Sequence, residues 1–125
     1  MVVDSDVFID FFRDTQKARE FFLENNQSLI VSRVTILEII LGVKTKRDAT
    51  KALKQLDSLG VHVVEVNENI SKLAGELFLR YWHRYGIGIL DCLVAATALT
   101  LREALMTRNV RHFRPIESLE LQVPY

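Results

Sequence analysis

Four acidic side chains in this 125-residue chain are conspicuous for the company they keep. The chain opens MVVDSDVFIDFF, so Asp4 and Asp6 interrupt a run of apolar and aromatic residues. Glu38 is flanked by Ile36, Leu37, Ile39, Ile40 and Leu41, and Asp91 is the only acid in ILDCLVAATAL. Asp4, Glu38 and Asp91 are thus embedded in sequence expected to be interior. A buried carboxylate is costly unless it is paired or hydrogen-bonded, and two close together raise each other's pKa. The stretches VVDSD, TILEII and ILDCLV contain no basic residue to pair with. A divalent metal is the economical counter-charge. All-oxygen ligation favours Mg²⁺ or Mn²⁺ over zinc, because His62, His83 and His112 are scattered and Cys92 stands alone. Such an ion suits phosphodiester cleavage: it lowers the pKa of a bound water, polarises the phosphate and neutralises the leaving oxygen. Each acid also has a plainer reading. Asp6 and Asp91 are placed to cap helices, and Glu38 could be a salt-bridged core residue.

The elements that must position these groups follow from periodicity. Val2 and Val3 form a short strand candidate, and Val7, Phe8, Phe11 and Phe12 recur at helical spacing behind Ser5 or Asp6 as N-cap. A second helix fits 15–24, and SLIVS (28–32) reads as a buried strand. VTILEIILGV then forms a helix ending near Gly42, and 46–59 is an amphipathic helix stopped by Gly60. VHVVEV is the third strand. From Asn67, Ile70, Leu73, Ala74, Leu77, Phe78, Tyr81 and Trp82 hold the 3–4 spacing of a long helix. GIGILDCLVAATALTL is apolar almost all round and is expected to be buried on most sides. EALMT and LELQV complete a set of about five strands.

Strands alternating with helices argue for an α/β fold, a three-layer α/β/α sandwich with a mostly parallel sheet. In such sheets the ligand site lies beyond the carboxyl ends of the strands. Asp4 ends the first strand, Glu38 lies in the helix after the second, and Thr107 and Asn109 follow the fourth. The acids therefore converge on one sheet edge. The chain, 1–125, is expected to be a single domain. Hydrophobic residues at 49% and charged residues at 26% exclude disorder. No apolar stretch approaches the ~20 residues of a membrane span, and Met1 leads into a strand-like run without a basic leader, so a cytoplasmic location is expected. The lone Cys92 fits a reducing compartment. Sixteen basic and sixteen acidic residues cancel, so attraction to a nucleic acid must come from a local patch.

These residues resemble a known family. VVDSDVFIDFFR, SRVTILEIILGV, LDCLVAATAL and LMTRNVRHFRPI are similar, in order, to the four motifs of PIN domains, specifically of VapC-type toxin ribonucleases. The resemblance implies that Asp4, Glu38 and Asp91 are the metal-binding catalytic acids, supported by Ser5, Asp6, Thr107 and Asn109. It implies a PIN-like sandwich, a homodimer, an antitoxin protein partner and RNA as substrate. Two departures stand out: Asp6 replaces the usual Asn, and Asn109 stands where many PIN domains carry Asp.

Two further features bear on partners. Arg108, Arg111, His112 and Arg114 fall within seven residues after the fourth strand, forming a cationic lip suited to RNA phosphates, to which Arg33 is expected to add. The bland alternative is a solvated turn. Phe8, Phe11, Phe12, Phe21 and Phe22 are five of the seven phenylalanines, more than a short helical pair needs to cover a sheet. They predict a partly exposed apolar groove for an antitoxin helix, against the alternative that all five are core. Two other functions could use such a sheet. A receiver-like phosphoacceptor domain needs a late Lys and an Asp on a central strand, yet no Lys follows Lys72 and VHVVEV has no Asp. A PIN scaffold acting only as a binding module is kept open by Asn109. Cys92 lacks a nearby His and is not expected to be a nucleophile.

Overall fold

The computed structural model describes residues 1–25 and 28–125. Twelve elements follow one another among the described residues: β1 (Val2–Val3), α1 (Ser5–Phe12), α2 (Gln16–Glu24), β2 (Ile30–Ser32), α3 (Arg33–Leu41), α4 (Lys46–Ser58), β3 (His62–Val64), α5 (Glu68–Tyr85), α6 (Ile89–Leu101), β4 (Leu105–Met106), α7 (Val110–Phe113) and β5 (Leu121–Gln122). The strands form one sheet in the order β3-β2-β1-β4-β5, and every pairing is parallel. β1 lies at the centre, with Val2 opposite Ile30 and Leu105, and Val3 opposite Met106.

Strand alternation divides the interior into two cores. Val2 and Leu105 face a cluster with Ile70, Ala74 and Leu77 of α5, Cys92 and Val94 to Ala96 of α6, and Phe113. Val3 and Met106 face the other side, with Val7 and Phe8 of α1, Phe21 and Phe22 of α2, Ile39 of α3, and Ala52 and Leu56 of α4. The chain is therefore the expected three-layer sandwich. No described helix is long and apolar enough to cross a membrane.

Boundaries differ from the sequence expectation in instructive ways. The strands are shorter than SLIVS, VHVVEV, EALMT and LELQV suggested, because backbone pairing ends where the neighbouring strand leaves the sheet. Ser32 ends β2, paired with Val64, and also caps α3, its hydroxyl accepting from the Val34 N–H at 3.1 Å. Neither Ser5 nor Asp6 caps α1; Asp4 does, its carboxylate accepting from the Ser5 N–H. α6 is less enclosed than its composition implies, with Ile89 and Leu90 exposed at its start. α7 was not anticipated, since four residues carry too little periodicity to register.

Phe8 is fully buried and packs its ring 5.1 Å from that of Phe22. Phe8→Ala is expected to destabilise the domain by about 3–5 kcal/mol, read as a lower urea midpoint at unchanged slope.

Candidate active site

β1 ends at Asp4, whose backbone N–H still donates to the Met106 carbonyl at 2.9 Å. This last sheet bond fixes the residue as the chain turns into α1. Its side chain is 6% exposed. One carboxylate oxygen accepts from the Ser5 N–H at 2.8 Å, and the other from the Thr107 hydroxyl at 2.9 Å. Thr107 is itself fully buried just past β4. Its oxygen accepts from the Asn109 N–H at 3.0 Å, which directs its single hydroxyl proton toward the acids. Asp6 lies farther from that hydroxyl, at 3.4 Å, and is held instead by the Arg108 N–H at 3.0 Å. Thr107 thus ties the end of β4 to the end of β1.

Glu38 and Asp91 approach from α3 and α6. Both are half-buried, and their charges are felt across the site. Glu38 is pushed up to about 7, first by burial, then by the charges of Asp4, Asp91 and Asp6, with the Ser5 hydroxyl opposing. Asp4 is pushed up to about 6, again mainly by burial, then by Asp6 and more weakly by Asp91; Thr107 and the Ser5 N–H oppose. Burial also raises Asp6, against the donors from Arg108 and Thr107. Asp91 occupies the third position of α6, whose N-cap is Gly88, so the capping reading of Asp91 falls away. Its carboxylate lies 3.4 Å from His112 Nδ1. That same nitrogen is 2.9 Å from the Asn109 side-chain amide, so His112 links Asn109 to Asp91.

The expectation that all three acids are interior is corrected in degree: only Asp4 is buried, because Glu38 and Asp91 lie on helix faces that look out past the sheet edge. The reading of Glu38 as salt-bridged also falls away. Among the described residues no lysine or arginine side chain forms an ion pair with Asp4, Asp6, Glu38 or Asp91. Asp6 Oδ1 is buried with no hydrogen-bond partner. An all-oxygen donor set, an orphaned carboxylate oxygen and unrelieved mutual repulsion fit a hard divalent cation. Among the described residues no three His, Cys, Asp or Glu side chains are drawn closely enough to enclose an ion by themselves. A cation such as Mg²⁺, which typically retains several waters and takes one or two protein carboxylates, does not require a closed cage.

The basic residues separate into two groups. Arg33 does not extend the lip, because Glu65 holds its guanidinium, with Nε 3.0 Å from both carboxylate oxygens. Arg108 is likewise engaged, pairing with Asp10 and lying 5.4 Å over the ring of Tyr125. The Tyr125 hydroxyl donates to the same Asp10 at 2.8 Å. Arg111, His112 and Arg114 are exposed and line a cleft of about 760 Å³ with Arg84 and Tyr85, two residues the sequence reading passed over. Nothing in their helical spacing marks those two, since the C-terminal turn of an amphipathic helix carries such residues routinely.

The phenylalanine groove is corrected in part. Phe8, Phe21 and Phe22 are buried in the core under α1 and α2. Only Phe11 and Phe12 stay partly exposed, at the edges of clefts of about 300 and 200 Å³ beside α4. Cys92 is buried, and its thiol is pushed up to about 11 by burial and then by Asp91, which leaves it protonated and unsuited to nucleophilic attack.

The PIN domain family matches residues 1–117, and the chain belongs to that family. Within it, the chain is 33% identical to Ribonuclease VapC19 of Mycobacterium tuberculosis over 99% of its own length and 98% of the relative's. It is also 33% identical to Ribonuclease VapC10 of the same organism, over 96% and 90%. Among solved structures, VapBC-1 from nontypeable Haemophilus influenzae is similar at 25% identity and a TM-score of 0.79, covering 98% of this chain and 96% of that one. VapBC2 from Rickettsia felis, bound to a promoter DNA fragment, shares the fold at 18% identity and a TM-score of 0.82, covering 98% and 96%.

The titration of Glu38 has a measurable consequence. Native Glu38 keeps its proton to about pH 7, whereas an unperturbed glutamate loses it near 4.5. Its contribution to stability is therefore complete below pH 4.5 and lost as pH rises through 7. In chelator, Glu38→Gln is expected to raise the melting temperature by roughly 3–6 °C at pH 8 and to leave it unchanged at pH 4.5.

Proposed function

We propose that this chain is a metal-dependent endoribonuclease, the toxin of a toxin–antitoxin pair, that hydrolyses RNA phosphodiester bonds with a carboxylate-bound Mg²⁺ or Mn²⁺. The observation that carries the reading is the convergence of Asp4, Glu38 and Asp91, with which no lysine or arginine forms an ion pair among the described residues, in a chain 33% identical to named ribonucleases. Asp4, Glu38 and Asp91 would hold the ion, which when bound supplies an acidified water and a counter-charge for the phosphate oxygens.

The chain's own groups do the rest. Thr107 donates to Asp4 and keeps its second oxygen aimed across the site. The Arg108 N–H holds one oxygen of Asp6, while Asp6 Oδ1 is left without a hydrogen-bond partner beside the acids that would hold the ion. Without an ion Glu38 is pushed up to about 7, so a cation taken up there near neutral pH would displace its proton. Asn109 keeps the Thr107 hydroxyl oriented through its N–H and braces His112. With its side chain so used, Asn109 acts in positioning rather than as a charged ligand.

The partner is proposed to be an antitoxin whose apolar residues fill the clefts at Phe11 and Phe12, in keeping with the similarity to VapBC structures. A homodimer is proposed through the α5–α6 face, where Leu79, Trp82, Ile89 and Leu90 are exposed and Ile89, with Phe78 and Leu93, lines a cleft of about 320 Å³. The cytoplasm is the proposed location.

Purified protein is expected to cut short RNA only with Mg²⁺ or Mn²⁺, and Asp4→Asn or Asp91→Asn should lower the rate at least about 100-fold, measured by gel or fluorescence release. Equal cutting by wild type and both variants would end the nuclease reading. Mg²⁺ should raise the wild-type melting temperature more at pH 8 than at pH 5, because protons compete for the same carboxylates.

A further inference from the structure

Asp6 and Asp10 lie four residues apart on α1, one turn apart on the same helix face. A single residue of the segment after β4 reaches both. The Arg108 N–H donates to Asp6 Oδ2 at 3.0 Å, and the Arg108 guanidinium pairs with Asp10. The Asp10 side chain is 15% exposed, the least of any ion-paired group among the described residues. Its Oδ2 also accepts from the Tyr125 hydroxyl at 2.8 Å, and the Arg108 guanidinium lies 5.4 Å from the Tyr125 ring centroid. Burial, then the bond to Asp10, holds the Tyr125 phenol above the ordinary tyrosine range, so it stays a donor at neutral pH. The Tyr125 ring packs in turn against the core on the α1 side of the sheet.

Residues 107–109 belong to no helix or strand. The Thr107 N–H still donates to the Gln122 carbonyl of β5 at 3.0 Å. The next two N–H groups leave the sheet: that of Arg108 donates to Asp6, and that of Asn109 to the Thr107 hydroxyl oxygen. Both therefore point into the carboxylate site, and no ladder fixes their direction. The Arg108 side chain supplies that constraint. Its carboxylate partner is largely enclosed and shared with a hydroxyl, and its guanidinium rests against a ring, so it is held far more firmly than a solvated ion pair. Anchoring the side chain on Asp10 sets the main chain on Asp6, one turn earlier.

We propose that Asp10 and Tyr125 are positioning residues of the carboxylate site, holding Arg108 on α1 so that its N–H stays on Asp6 and the adjoining Thr107 hydroxyl stays on Asp4. The proposal rests on the nuclease reading for what the site does, and both residues act through Arg108 rather than on the ion or the RNA. Groups one step removed from metal ligands typically set affinity or rate by about 10–100-fold.

The test uses the full chain, first in chelator. Asp10→Asn should speed amide exchange at Arg108, followed by NMR, roughly tenfold. It should also raise the Mg²⁺ concentration for half-maximal thermal stabilisation roughly tenfold, and lower kcat on short RNA by a similar factor at unchanged KM. Tyr125→Phe removes one oxygen and keeps the ring, and should move all three readings the same way by about threefold. Arg108→Lys should retain most of what Arg108→Ala loses, and adding Asp10→Asn to Arg108→Ala should cost nothing further. Glu68→Gln breaks an exposed pair with Lys72 and should change none of these readings. Unchanged Arg108 exchange and Mg²⁺ response in Asp10→Asn and Tyr125→Phe would overturn the proposal even if the urea midpoint fell, as would additive losses in the double variant. If Asp10→Asn does not fold, Tyr125→Phe decides alone. Should the wild type fail to cut RNA while the exchange and Mg²⁺ effects hold, the nuclease reading falls and the positioning role stands. Intact cutting with no effect of either substitution removes only the positioning role.

Discussion

Mutual repulsion among carboxylates at one sheet edge is the constraint around which the rest of this molecule is arranged. Asp4 is buried at the end of the central strand, where its charge is least tolerable, and Asp6, Glu38 and Asp91 add to the cost from three separate elements. A fold does not assemble such a group for stability, since burial and like charge both act against it. What the chain provides is partial compensation: a helix N–H from Ser5, the Thr107 hydroxyl and the Arg108 N–H, all dipoles rather than full charges. The remaining imbalance is what the proposed cation would offset. An arginine placed among these acids would relieve the same strain but close the site.

Thr107 shows how the two cores and the site are connected. It is buried directly after β4, and β4 pairs with β1 in register from Val2–Leu105 to Val3–Met106. That register sets the hydroxyl level with Asp4, so packing on both faces of the sheet determines a polar contact at its edge. Slipping the register by one residue would turn Val2 and Val3 onto each other's faces and carry Thr107 away from Asp4. The apolar cores therefore specify the active-site geometry indirectly.

The cationic residues divide by their partners rather than by their positions along the chain. Arg108, Arg111 and Arg114 are close neighbours in sequence, yet Arg108 belongs to a closed cluster with Asp10 and Tyr125, while the other two face an open cleft shared with Arg84. The ion pairs of Arg33 with Glu65 and of Arg108 with Asp10 withdraw two guanidinium groups from the surface field. With a net charge of zero, that selection determines where positive charge remains uncompensated on the surface.

Much of the fold was legible in the linear sequence. Alternating strand and helix periods, acids interrupting apolar runs, and the positions of Asn67, Gly42 and Gly60 at helix ends are local properties, and local propensity carries them. That Asp4, Glu38 and Asp91 stand out from their segments was legible for the same reason, because a charge inside an apolar segment is anomalous wherever the segment ends up. Other assignments depended on neighbours that sequence distance hides. Asp4 rather than Ser5 caps α1, Phe8, Phe21 and Phe22 close into the core while Phe11 and Phe12 do not, and Arg33 meets Glu65 across 32 positions. Tertiary structure alone brought Arg84 and Tyr85 against Arg111 and Arg114. Pairing and exposure are relations between segments, fixed only when the sheet register and helix packing set which side chains share a space.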